Sequence, residues 1–72
     1  LKVYGNQNAV KPLLTALSDD NYRVRFLATE ALATIGDKAV IRHLDQARKR
    51  KGEIKVVKEA MKTAIDHLEI LP

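Results

Sequence analysis

Apolar residues recur along this chain at helical spacing, and the polar stretches between them carry glycine or an acid where a helix would stop. The first stripe is Val10, Leu13, Leu14 and Leu17, an i, i+3, i+4, i+7 pattern. The second is Val24, Leu27, Ala28, Ala31, Leu32 and Ile35, and the third is Val40, Ile41, Leu44 and Ala47. The fourth is Ile54, Val57, Ala60, Met61, Ala64, Ile65 and Leu68. No stretch alternates strictly for long enough to compete as a strand. The pattern predicts an all-α chain of four helices, with breaks at Gly5, Asp19–Asn21, Gly36–Asp37 and Gly52.

Local chemistry sharpens the boundaries. Asn6 or Asn8 would cap the first helix, which runs to about Ser18, because a short polar side chain can accept from an orphan N–H of the first turn. Pro12 then falls within or just past that turn, where its missing N–H costs least. The second helix starts near Asp20 or Asn21 and ends at Gly36, a residue free to take the left-handed conformation that terminates helices. Asp37 opens the third helix, which frays through "RKRK" into Gly52.

The chain repeats itself. "AVKPLL" from Ala9 aligns with "AVIRHL" from Ala39, 30 residues on, and "VRFLATEALATI" from Val24 aligns with "VVKEAMKTAIDHL" from Val57, 33 residues on. The matched positions are small or apolar: Ala31 with Ala64, Leu32 with Ile65, Ile35 with Leu68. Self-similarity at this period marks stacked helical units. "LKVYGNQNAV" at the start also echoes "LATIGDKAV" from Leu32. That echo makes residues 1–5 the expected end of a preceding helix, residues 6–36 a first unit and residues 37–72 a second.

The segment "AVKPLLTALSDDNYRVRFLATEALATIGD" resembles the HEAT repeat, in particular the HEAT-like repeat of the phycobiliprotein-lyase type. The resemblance implies a HEAT-like α-α superhelix, a solenoid of about four antiparallel helices in two pairs. It also assigns structural roles: Asp19 matches the acid that braces the turn, and Arg25 matches an arginine that bonds carboxylates or carbonyls of a neighbouring repeat. Asp19 or Asp37 is the expected partner of Arg25, and Gly36 and Asp37 form the terminating pair. The last copy departs from the pattern, with Gly52, Lys58 and Glu69 at the positions of Asp19, Arg25 and Gly36. Its polar final helix, bearing Lys55, Lys58, Lys62 and Asp66, fits a C-terminal cap. As part of a longer solenoid, the chain should expose apolar area at Val10, Leu13 or Leu14.

Composition narrows the function. Only 4% of the 72 residues are aromatic, with no Trp and one Phe, so the core must be aliphatic and alanine-rich. There is no Cys, which removes disulfides and thiolate zinc sites and makes a cytoplasmic setting the default. The apolar runs are too short to span a membrane. The net charge of +4 is regional. Residues 1–37 balance to zero, residues 38–62 hold nine bases against three acids, and residues 63–72 carry a net −2.

No catalytic set emerges. His43 and His67 are 24 residues apart and each is followed by Leu, so the His-Glu pairs with which some HEAT-like hydroxylases hold iron are absent, and both read as helix-surface residues. Thr15, Ser18, Thr29, Thr34 and Thr63 have no base in sequence reach and read as surface or capping hydroxyls. Asp19-Asp20 suit a helix start, where the dipole favours acids. No metal, cofactor or small-molecule substrate is implied. What stands out is a basic stripe, Arg42, Gln46, Lys49 and Arg50, at i, i+4, i+7 and i+8 on the third helix. In HEAT arrays the second helix of each repeat lines the concave surface, and the resemblance puts the stripe there. The expected function is a non-enzymatic protein–protein interaction module or assembly scaffold, whose partner is another protein with an acidic surface. The alternatives are binding of a nucleic-acid backbone through the stripe, or a non-catalytic subunit of a lyase-type chromophore-handling complex. A stacking platform for single-stranded bases is disfavoured, because Tyr4, Tyr22 and Phe26 are the only aromatics.

Overall fold

A computed structural model describes the backbone of residues 2–72 and the side chains of residues 9–72. It contains four α-helices: α1 (Lys2–Ala16), α2 (Tyr22–Ile35), α3 (Ile41–Arg48), entered through a 3-10 turn (Lys38–Val40), and α4 (Lys55–Glu69). No strand occurs among the described residues. Helix α1 packs on α2, α3 on α4, and α2 on α4, so two helix pairs are joined chiefly through their second helices.

Three of the four expected breaks are present. At the first, α1 closes with shortened bonds, Ser18 N–H to Thr15 O and Asp19 N–H to Ala16 O. Asn21 N–H then donates to Asp19 Oδ1 at 2.8 Å, and Arg23 N–H donates to Asn21 Oδ1 at 2.8 Å, which makes Asn21 the N-cap of α2. At the second, Gly36 adopts φ 80° and donates its N–H to Leu32 O, and Asp37 Oδ1 accepts from Ala39 N–H at 2.9 Å. Gly52, with φ 90°, turns the chain into α4. Gly5 is the exception. It lies inside α1, so the helix starts at Lys2 rather than after Asn6 or Asn8, and only Leu1 of the expected preceding helix end falls outside the described residues. Pro12 consequently sits in the interior of α1, where it withholds an N–H from the carbonyl of Asn8.

The core joins all four helices through Leu17, Ala28, Leu32, Val40, Leu44, Ala47, Val57, Met61, Ala64, Ile65 and Leu68. Val10, Leu13 and Leu14 are half-buried against it, so the exposed apolar area expected on α1 is found elsewhere. Leu27 is 64% exposed and Ile54 39% exposed, although both belong to their helices' apolar stripes. Conversely, Thr29 is buried. Its hydroxyl donates to Arg25 O at 2.9 Å, which satisfies the group within its own helix and lets the side chain pack as a small residue.

Gly36 lies beneath Leu71, and an added Cβ would stand 3.4 Å from the Leu71 Cδ1 atom. The left-handed backbone is the costlier obstacle. Gly36→Ala should therefore lower stability by about 1–2 kcal/mol, read as a lower urea midpoint with an unchanged slope. An unchanged midpoint would show that the turn relaxes without penalty.

Candidate functional site

Arg25 and Glu53 stitch the two helix pairs together at the end where α2 and α4 begin. Arg25 projects from the first turn of α2 and grips Glu53 with two parallel bonds, Nε to Oε2 at 2.9 Å and Nη2 to Oε1 at 2.8 Å. Its Nη1 donates to the carbonyls of Asp19 at 2.7 Å and Asp20 at 3.1 Å. Glu53 is buried, and its Oε1 also accepts from Ile54 N–H at 2.9 Å, which satisfies a donor just ahead of α4. Arg50 makes a parallel stitch, with Nη1 donating to Leu17 O at 3.0 Å and Nη2 to Ser18 Oγ at 3.3 Å. Residues 17–20 and 50–54 thus form one hydrogen-bonded block.

The electrostatics follow from this geometry. Burial pushes the Glu53 carboxyl up. The Arg25 guanidinium, the Ile54 N–H and the charges of Arg25 and Arg50 outweigh burial and hold it below its ordinary value. The hydrogen bond to Glu53 raises Arg25 in turn, against the opposing effect of desolvation. Arg25 bonds an adjacent unit as expected, and Asp19 is a partner through its carbonyl, but the carboxylate that Arg25 grips is that of Glu53 and not of Asp19 or Asp37. Asp19 offers Arg25 its carbonyl while its carboxylate accepts from Asn21, and Asp37 caps the 3-10 turn. The signal for Glu53 was its position 33 residues after Asp20, the acid that opens the matching helix.

The basic stripe is divided. Arg42 and Gln46 are exposed on α3. Lys49 pairs with Asp45 at 3.1 Å, alongside Arg48 at 2.9 Å, and Arg50 is turned to the end of α1. The Lys49 hydrogen bond lowers the Asp45 carboxyl against partial desolvation, helped by the charge of Arg48. Moreover, α3 is the first helix of its pair, so the stripe does not lie on the surface made by second helices. That surface belongs to α2 and α4.

Helices α2 and α4 run parallel, and a shallow groove of about 370 Å³ lies between them, lined by Glu30, Ala33, Thr34, Ala60, Thr63 and His67 among others. Thr34 donates to Glu30 O at 3.0 Å, so its hydroxyl serves its own helix. At the end where both helices begin, Tyr22, Arg23, Phe26, Leu27 and Val56 line a cleft of about 310 Å³. Tyr22 and Val56 are 45% and 52% exposed. Val56 lies off the apolar stripe of α4, so helical spacing alone does not reveal this cleft. His67 is exposed in the groove, whereas His43 is half-buried among α3 residues facing Leu14 and Leu17. No group of three potential metal ligands converges among the described residues, and no described helix is long and apolar enough to cross a membrane.

Two helix pairs stacked through their second helices and locked by an arginine at the turn define an all-α repeat architecture. A family model described as HEAT repeats matches residues 1–66, and the chain belongs to that family. No curated protein and no solved structure matched it. HEAT repeats commonly mediate protein–protein interaction, and the family is typically non-catalytic.

Proposed function

We propose that this chain is a protein-interaction module or assembly scaffold that receives its partner on the face made by α2 and α4. The observation that carries this reading is the cleft in which Tyr22, Leu27 and Val56 stay exposed to solvent around Phe26, itself half-buried against the core. Apolar area of this kind, rimmed by a charged residue such as Arg23, favours contact with another protein. The absence of Cys fits a cytoplasmic module. The phycobiliprotein-lyase type of repeat, and with it a place in a chromophore-handling complex, is supported only by the likeness of "VRFLATEALATIGD" to that pattern.

Phosphate-backbone binding draws less support. Arg50 is occupied by Leu17 and Ser18, and Lys49 is shared with Asp45, which leaves Arg42 as the unengaged base of the stripe among the described residues. Duplex binding should therefore be weak, with a log–log salt slope near about −1 rather than about −3.

Val56→Asp tests the main reading. Because the side chain is exposed, the variant should keep its stability within about 0.5 kcal/mol yet lose capture of a protein partner, while Arg42→Glu retains it. The reverse pattern would move the contact to α3. Submicromolar duplex binding without any protein partner would replace this reading with the nucleic-acid one.

A further inference from the structure

We propose that α2 is the contact helix of a symmetric dimer, in which a second copy of this chain lies antiparallel on it and Arg23 of each copy meets Glu30 of the other. The inference rests on the α2–α4 face being the contact surface, and it names the occupant. The starting observation is a row of exposed side chains on α2. Arg23, Leu27 and Glu30 all face solvent, and Leu27 is 64% exposed. Arg23 and Glu30 stand seven residues apart, which places them on one line along the helix, two turns or about 10 Å from each other. That is too far for them to pair within one chain. Among the described residues neither side chain has an ion-pair partner.

Reversed end for end, the row is its own complement. Phe26 and Leu27 lie midway between the two charges, each three or four residues from both, and they flank the line on opposite sides. A two-fold axis crossing α2 at this point inverts the helix direction. It brings Leu27 onto Leu27 of the second copy and Phe26 onto Phe26, and it lays each arginine on a glutamate. The contact then has an apolar centre and a charged rim, as protein interfaces do. Tyr22 and Val56 line the same cleft and are 45% and 52% exposed, so they extend the apolar centre. Parallel docking would set arginine on arginine and glutamate on glutamate, and charge therefore fixes the antiparallel sense.

The spacing of the charges selects the occupant. An unrelated protein could use the apolar cleft, but it would not require an acid and a base placed evenly on either side of one apolar pair. The other charged surfaces offer no such row. On α3, Asp45 takes Arg48 and Lys49, and on α4 Asp66 takes Lys62. A face formed by one helix and the margin of another is small, so the dimer should be transient, with a Kd of about 10–100 μM.

Sedimentation equilibrium of the 72-residue chain over about 5–500 μM should show a monomer–dimer equilibrium. Arg23→Glu and Glu30→Arg each place like charges at both rim pairs, and each should raise the Kd at least about tenfold. Mixed in equal amounts, the two variants should associate as tightly as the parent, because one then presents only acids and the other only bases at these positions. A folding defect cannot imitate that rescue. Leu27→Asp should be monomeric with an unchanged far-ultraviolet circular dichroism spectrum. A parent that stays monomeric throughout, a dimer indifferent to either charge reversal, or a mixture no tighter than the single variants would overturn the proposal. A monomeric parent that still captures a different protein, and loses it on Val56→Asp, overturns the dimer while leaving the interaction reading standing. Dimerisation with charge rescue, alongside capture that survives Val56→Asp, does the reverse.

Discussion

Replacing Glu53 with Gln should lower stability at neutral pH by about 1–3 kcal/mol, roughly 5–15 °C in thermal midpoint for a domain of this size. The substitution keeps the shape of the side chain and removes its charge, leaving Arg25 as a cation packed against a neutral amide. Arg25→Ala should cause a comparable loss, since it leaves the buried Glu53 carboxylate without its two bonds from the guanidinium. The exposed pairs Lys49–Asp45 and Lys62–Asp66 should contribute little by comparison. The effect also has a pH signature. A carboxyl held below its ordinary value when folded contributes stability that is fully present above the unfolded value, near 4.5 for Glu, and is lost as pH falls through the lower folded value. Acid titration of stability should therefore steepen below about pH 4.5 in the parent, and this component should be missing from Glu53→Gln. Identical acid limbs for the two proteins would show that Glu53 titrates as an ordinary surface group.

The largest single loss should come from Leu32→Ala. Leu32 is fully buried in the last turn of α2, and truncation leaves a cavity that helices locked by the Arg25 and Arg50 stitches cannot readily close. Such changes cost roughly 2–5 kcal/mol, against a total of about 4–11 kcal/mol for 72 residues. The variant should lose most of its cooperative transition at 37 °C by far-ultraviolet circular dichroism. A midpoint within a few degrees of the parent would mean that the core repacks around the gap. Leu27→Ala, one turn away but exposed, is the natural control.

Helix periodicity carried most of the fold, and its failures have definite causes. Leu32, Leu44, Val57, Met61 and Leu68 are buried as their spacing demands. Leu27 and Ile54 obey the same spacing but are exposed, because periodicity reports which side of a helix is apolar and not whether another element covers it. Gly5 lies inside α1 because a glycine in a helix costs only about 1 kcal/mol relative to alanine and does not end one unaided. The clamp was half legible. Arg25 declared itself through the repeat, but its partner lies 28 residues away across a turn whose length the two copies do not share. The stripe is divided because α3 ends at Arg48, Asp45 one turn before Lys49 takes that lysine, and the end of α1 takes Arg50.

The order in which the helices touch bears on how the chain reaches this structure. Helix α1 packs on its chain neighbour α2 and α3 on its neighbour α4, while the packing of α2 on α4 skips an element. Each pair can therefore form by closing a single short turn, and the Arg25–Glu53 bridge joins two hairpins that are already made. Contacts this local demand little loop-closure entropy before they begin to reward the chain, which puts such a topology among those that fold in microseconds to milliseconds.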